Sequence, residues 1–223
     1  MQPLRSLLDS LRRCCEGFPD PHRGSHATYQ IADIATAAFS VFFIQSPSFL
    51  AHQQRLREGH GRSNAETLFG LTRIPSENHI RTMLDPAAPA LLFPAFGATR
   101  KALEQLGGGQ AMFRRLGKHV LIALDGTEYF CSDSIYCPQC STRRRSNGKT
   151  EFFHAMLGAT VVAPGHRHVL PLEPEFIAPQ DRAEKQDSES RAAQRWLAAH
   201  GPQYASLMPI YLGGDLFSNQ PIC

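Results

Sequence analysis

Leu4, Leu7, Leu8 and Leu11 recur at three- and four-residue steps, the spacing that gathers apolar side chains on one face of a helix. Phe18-Pro19-Asp20-Pro21-His22-Arg23-Gly24 then breaks the pattern with turn formers. Ile31, Ile34, Ala35, Ala38 and Phe42 predict the inner face of a second helix, and Pro47 beside Ser46 or Ser48 predicts the start of a third. A fourth helix is expected from Ser76, a residue whose hydroxyl caps exposed backbone N–H groups, with Ile80, Met83 and Leu84 inward. Pro86, Pro89 and Pro94 interrupt before a helix near Ala98 to Leu106, and Gly107-Gly108-Gly109 follows. Residues 1–116 therefore read as an all-helical region.

The pattern changes after Lys118. His119-Val120-Leu121-Ile122-Ala123-Leu124 is a short apolar run with β-branched members, ending on the turn pair Asp125-Gly126. It predicts a buried strand that delivers a carboxylate at its end. A polar loop rich in Cys and Arg is expected from Cys131 to Thr150. Phe152–Val162 and His168–Ile177 predict a hairpin about the turn Ala163-Pro164-Gly165-His166. Ser188 to His200 predicts a helix with the stripe Ala192, Ala193, Trp196 and Leu197, stopped by Gly201-Pro202. Met208–Leu212 predicts a last strand running into Gly213-Gly214-Asp215. Strand, hairpin, helix and strand in that order describe a mixed sheet in residues 117–223, so the fold class is α+β or α/β.

Composition narrows the class. In 223 residues, 42% are hydrophobic and 19% charged, which is ordinary for a globular chain. The most apolar run, Ile34 to Ile44, is shorter than the roughly 20 residues a membrane helix needs. The N-terminus lacks the unbroken apolar core of an export signal, so a cytoplasmic protein with reduced thiols is expected from its six cysteines. Net charge is only +3, but its distribution is uneven. Arg143, Arg144, Arg145 and Lys149 crowd one loop, and Arg114, Arg115 and Lys118 lie upstream. Such a cluster is either a solvated basic surface or a clamp for nucleic-acid phosphates.

Two patterns carry candidate chemistry. Asp125 and Asp215 each follow a buried strand, and neighbouring strand ends in an α/β sheet are where ligands sit. Paired carboxylates there suit Mg²⁺ or Mn²⁺, and two ions about 3.5–4 Å apart activate water for attack on phosphate. The plain alternative is that Asp125-Gly126 is only a turn and Asp215 only a helix cap. Cys137-Pro138-Gln139-Cys140 is a C-x-x-C knuckle that supplies two of the four ligands of a structural zinc. Cys131 or His154 is the available completion; unligated cysteines are the alternative. Trp196 reads as a core anchor, and Glu189 and Arg191 as exposed helix charges.

These residues together resemble a family of bacterial insertion-sequence DDE transposases with a ribonuclease H-like core. The likeness runs through Phe18-Pro19-Asp20-Pro21-His22-Arg23, Pro47-Ser48-Phe49-Leu50, Leu68-Phe69-Gly70, Ile74-Pro75-Ser76 and Leu124-Asp125-Gly126-Thr127-Glu128-Tyr129. It continues through Cys137-Pro138-Gln139-Cys140, Pro174-Glu175-Phe176-Ile177, Lys185-Gln186-Asp187-Ser188-Glu189 and Asp215-Leu216-Phe217-Ser218-Asn219-Gln220-Pro221. The resemblance implies Mg²⁺-dependent cleavage and strand transfer of DNA. Asp125 would be the first catalytic metal ligand and Asp215 the second. The helical region would bind transposon ends in double-stranded DNA or form homodimer contacts. The family reads Gly-Asp-Asp-Leu where this chain has Gly213-Gly214-Asp215-Leu216, and its third acid would come from a helix beyond Cys223. The expectation is thus an inactive, truncated copy. A non-catalytic DNA-binding protein that occupies element ends is the second reading.

Overall fold

The computed structural model describes residues 2–22, 28–59, 64–71, 73–105, 109–115, 117–179 and 188–214. Asp215 lies outside them. The chain divides into two compact units, 1–102 and 103–223. The division falls earlier than residue 116 because Leu103 and Met112 pack against the core of the sheet.

The first unit is helical: α1 (Gln2–Glu16), α2 (Ile31–Phe43), α3 (Phe49–Gly59), α4 (Asn64–Phe69), α5 (Glu77–Leu84) and most of α6 (Phe93–Gln105). Ser76 caps α5 by accepting from the His79 N–H at 3.3 Å, as its position before Glu77 predicts. Ser48 serves α3 likewise through the Ala51 N–H at 3.1 Å. α6 begins earlier than its pattern suggests, because Pro94 sits in the first turn, where a missing N–H costs nothing. The short helix α4 had no periodic signal. The core gathers Cys15, Ile31, Ile34, Ala35, Ile80 and Met83. Phe42 departs from expectation: it is 73% exposed, because the buried side of α2 runs through Ile34, Ala37 and Val41. Buried His52 bridges two hydroxyls, with Ser40 Oγ 3.1 Å from Nε2 and Ser46 Oγ 2.8 Å from Nδ1. Burial holds its pKa below the usual value, so this imidazole serves as a neutral strut between α2 and α3.

The second unit is a mixed sheet with one long helix: β1 (Arg114–Arg115), β2 (His119–Ser132), β3 (Ser141–Arg144), β4 (Thr150–Val162), β5 (Leu170–Pro171), β6 (Glu175–Ile177), α7 (Glu189–Tyr204) and β7 (Pro209–Leu212). β2 is central, antiparallel to β4 and parallel to β7. The far side of β4 pairs with β3, β5 and β6. The expected succession of strand, hairpin, helix and strand is present. However, β1 lies inside the region 1–116 expected to be all-helical, and the strand expected over His168–Ile177 is the two short strands β5 and β6. Three further expectations change. β2 does not end at Asp125-Gly126; it runs on to Ser132, because β4 supplies hydrogen-bond partners along its whole length. The expected loop between Cys131 and Thr150 contains a strand, β3, paired with the start of β4. α7 passes through Gly201-Pro202 to Tyr204.

That last extension has a visible cause. Pro202 forfeits one backbone hydrogen bond. Continuing for two residues stacks Tyr204 on fully buried Trp196, with ring centroids 5.9 Å apart and planes within 2°. It also brings the Tyr204 hydroxyl to 2.5 Å from Oε2 of buried Glu173. The Trp196 indole N–H donates to the Glu173 carbonyl at 2.6 Å. Ala192, Ala193 and Trp196 thus press α7 onto Ile122, Leu124, Leu157 and Ala159. Trp196 is a core anchor, as its place in the apolar stripe indicates.

Candidate functional site

Alternation along β2 and β4 sorts the site residues onto two faces of one sheet. Ile122, Leu124 and Leu157 point to the core under α7. Asp125, between Leu124 and Gly126, points to the opposite face and is exposed. Gly126 returns to the α7 side, where a β-carbon would lie 2.2 Å from the Glu189 carboxyl. Glu189 is therefore half-buried over Gly126 and is not the exposed helix charge its position suggested. A glycine was readable there only as half of a turn; what it does is make room for that side chain.

The parallel register pairs Ala123 with Leu212. The pairing ends there, and Gly213 and Gly214 follow beyond the end of β7. A β-carbon at Gly214 would meet nothing within 4 Å. Among the described residues no group of three or more acids converges on Asp125. Asp125 and Glu189 lie on opposite faces of β2. Asp215, the second expected ligand, lies outside the described residues, so the expected Asp125–Asp215 pair is not formed within them.

Farther along the same sheet, the register separates the cysteines. His154 pairs with Phe130 and Cys131 with Phe153, so His154 and Cys131 face opposite ways. Cys137 and Cys140 join His154: each Sγ lies 3.3 Å from Nε2, and the two sulfurs are 3.8 Å apart. The knuckle is closed by the Cys140 N–H donating to the Cys137 carbonyl at 3.1 Å. Burial pushes the Cys140 thiol above its ordinary pKa. Tyr129 stacks on the His154 ring, with centroids 5.8 Å apart.

Cys131 belongs to the other face, where the arginines are. Arg143 donates to Glu151 Oε2 at 2.8 Å and to Glu128 at 2.7 and 3.1 Å, and it lies 3.6 Å from the Cys131 sulfur. Its guanidinium also sits 4.9 Å from the Phe153 ring centre. Arg145 pairs with the second oxygen of Glu151, and Lys149 lies 3.8 Å from Asp133. Arg144 donates to the Gly148 carbonyl at 3.4 Å and, among the described residues, meets no carboxylate. Gly148, at φ 81°, supplies the left-handed residue that closes the β3–β4 hairpin. The four cations anticipated as a phosphate clamp are thus largely occupied within the protein. The upstream pair is tied down too: Arg114 donates to the Lys118 carbonyl and Arg115 to that of Met112.

Compared with protein-family models, curated proteins and solved structures, the chain matches none. Its function therefore rests on its own geometry. Among the described residues, no helix is long and apolar enough to cross a membrane.

The buried Glu151 gives this face a defined response to pH. Arg145 and Arg143 together hold its carboxyl down from 4.5 to about 2. A depressed carboxyl stabilises the folded state above its unfolded pKa, and that contribution fades as pH falls through the folded one. The protection factors of amides in Ser141–Thr150, exchange rates divided into the intrinsic rate at each pH, should therefore be unchanged down to pH 4.5 and fall progressively from there towards 2. Protection lost entirely between pH 6 and 5 would assign hairpin stability to some other group.

Proposed function

We propose that this chain is a duplex-DNA-binding protein of the DDE transposase type, with a ribonuclease H-like second unit that does not cleave DNA. The observation that carries the reading is the arrangement around β2. A central strand bears Asp125, an antiparallel hairpin lies on one side, and a parallel β7 returns on the other after the helix α7. This is the strand order that the resemblance to insertion-sequence transposases implies. In that family the first acid stands on the central strand and the second at the end of the returning one.

The same arrangement favours binding over catalysis. Position 214, just past the end of β7, is a glycine, and among the described residues no second acid joins Asp125 in a cluster. Mg²⁺ held by Asp125 alone would keep most of its water shell. Binding to DNA would then come from phosphate contacts, which dominate non-specific affinity.

The test pairs binding with cleavage. Fluorescence anisotropy on a labelled duplex at 50 mM salt should show saturable binding. Incubation with nicked-product detection in Mn²⁺ should show no cleavage. Absence of binding by protein shown to be folded by circular dichroism would remove the reading. Nicking that vanishes in Asp125→Ala would overturn the inactive assignment while keeping the family.

A further inference from the structure

We infer that Cys137, Cys140 and His154 bind one Zn²⁺ ion through two thiolates and Nε2, with the fourth position open to water. The geometry carries this. With Zn–S near 2.3 Å and Zn–N near 2.0–2.1 Å, a tetrahedral ion holds two sulfurs about 3.8 Å apart and each sulfur about 3.5 Å from the nitrogen. The structure has 3.8 Å between the sulfurs and 3.3 Å from each to Nε2. The sulfur edge already fits, and the other two open by roughly 0.2 Å, which a small rotation of the imidazole provides.

The competing chemistries fit less well. A disulfide needs its sulfurs about 2.05 Å apart, so oxidation of this pair would pull the turn out of shape and leave His154 without a role. Mg²⁺ and Ca²⁺ prefer oxygen donors, whereas two thiolates and an imidazole suit Zn²⁺. The three donors also come from two separate places in the chain. Cys137 and Cys140 lie on the turn before β3, and His154 lies within β4. Pro138 holds the second position of that turn, where its fixed φ presets the bend. Stacking with Tyr129 restrains the plane of the imidazole. Zinc would fasten the segment between β2 and β3 to the middle of the sheet. Cys131, the alternative donor, faces the arginines on the other side of the strand and is excluded.

This inference stands independently of DNA binding. Its test uses the full chain, stripped of metal and kept reduced, and titrated with Co²⁺ as a spectroscopic stand-in for Zn²⁺. One equivalent should produce the intense visible bands of tetrahedral cobalt with thiolate charge transfer, and one equivalent of Zn²⁺ should bleach them. Cys137→Ser, Cys140→Ser and His154→Asn should each weaken Co²⁺ binding by at least about a hundredfold, beyond the loss usual for an outer-shell partner. Cys131→Ser should leave it within twofold. Because the ligand variants risk misfolding, alkylation of the wild-type chain provides a second measurement. Mass-spectrometric mapping should show Zn²⁺ slowing modification of Cys137 and Cys140 at least tenfold while Cys131 reacts at an unchanged rate. Absence of tetrahedral bands in folded protein, or equal protection of Cys131, overturns the assignment.

Discussion

Trp196→Ala should cost the second unit about 3–5 kcal/mol, a large share of the roughly 5–15 kcal/mol that holds a domain of ordinary stability. The indole is fully buried at the centre of the α7–sheet contact, stacked on Tyr204 and set edge-on to Tyr211 with centroids 6.3 Å apart. Replacement by alanine leaves a void between Ala192 and the sheet that neighbouring strands cannot close. Trp196→Phe separates packing from hydrogen bonding. It keeps an aromatic ring against Tyr204 but withdraws the N–H from the Glu173 carbonyl, whose loss should cost about 1–3 kcal/mol. Urea unfolding followed by circular dichroism measures both, since the chain has one tryptophan and its fluorescence disappears with it. An alanine variant within about 1 kcal/mol of the wild type would show that α7 is held mainly by other contacts. A phenylalanine variant as damaging as alanine would put the hydrogen bond ahead of the stack.

The elements of this fold were legible where a single periodicity ran uninterrupted. The α7 stripe and the apolar run before Asp125 are of that kind, because burial on one helix face or on both strand faces leaves a pattern in sequence. Boundaries were not legible where tertiary partners override local preference. Asp125-Gly126 has turn chemistry, yet β4 lies alongside it and the backbone stays extended. Gly201-Pro202 are helix stoppers, yet the contacts of Tyr204 lie just past them. The strand β3 was hidden because its residues, Ser141 to Arg144, are mostly polar; it forms by edge pairing with β4 and by the Glu151 ion pairs.

The candidate site was legible in its residue types and illegible in its pairing. Cys137, Cys140 and the alternatives Cys131 and His154 could all be named from the sequence, but choosing between the last two needed the register of β2 on β4. A bulge between Glu128 and Phe130 sets that register, and no turn or periodicity signal marks it. Glu151 was missed altogether. It stands alone among aromatic residues in Glu151-Phe152-Phe153-His154, and nothing local shows that two arginines converge on it.

That acid changes what the basic hairpin should do with DNA. Four cations free to meet phosphates would give a log–log salt slope of about 3.6. Here Arg143 and Arg145 share Glu151, Arg143 also holds Glu128, and Lys149 lies near Asp133. Arg144 is left as the available contact, with Lys149 loosely paired and exposed, so the hairpin should contribute a slope of about 0.9–1.8. Glu128→Gln is then expected to strengthen binding. It frees both terminal nitrogens of Arg143 at a site exposed enough to accept a neutral amide, while Glu151 still anchors the strand pair. One added phosphate contact should steepen the slope by about 0.9 and tighten binding about eightfold at 0.1 M salt. Arg144→Ala should remove a similar amount. Anisotropy across a salt series, with the wild type and both variants side by side, reads all three values. Identical slopes throughout would clear the hairpin of any part in DNA binding. A wild-type slope near 3.6 would show that phosphates outcompete Glu128 and Glu151, and that the ion pairs open when the protein meets DNA.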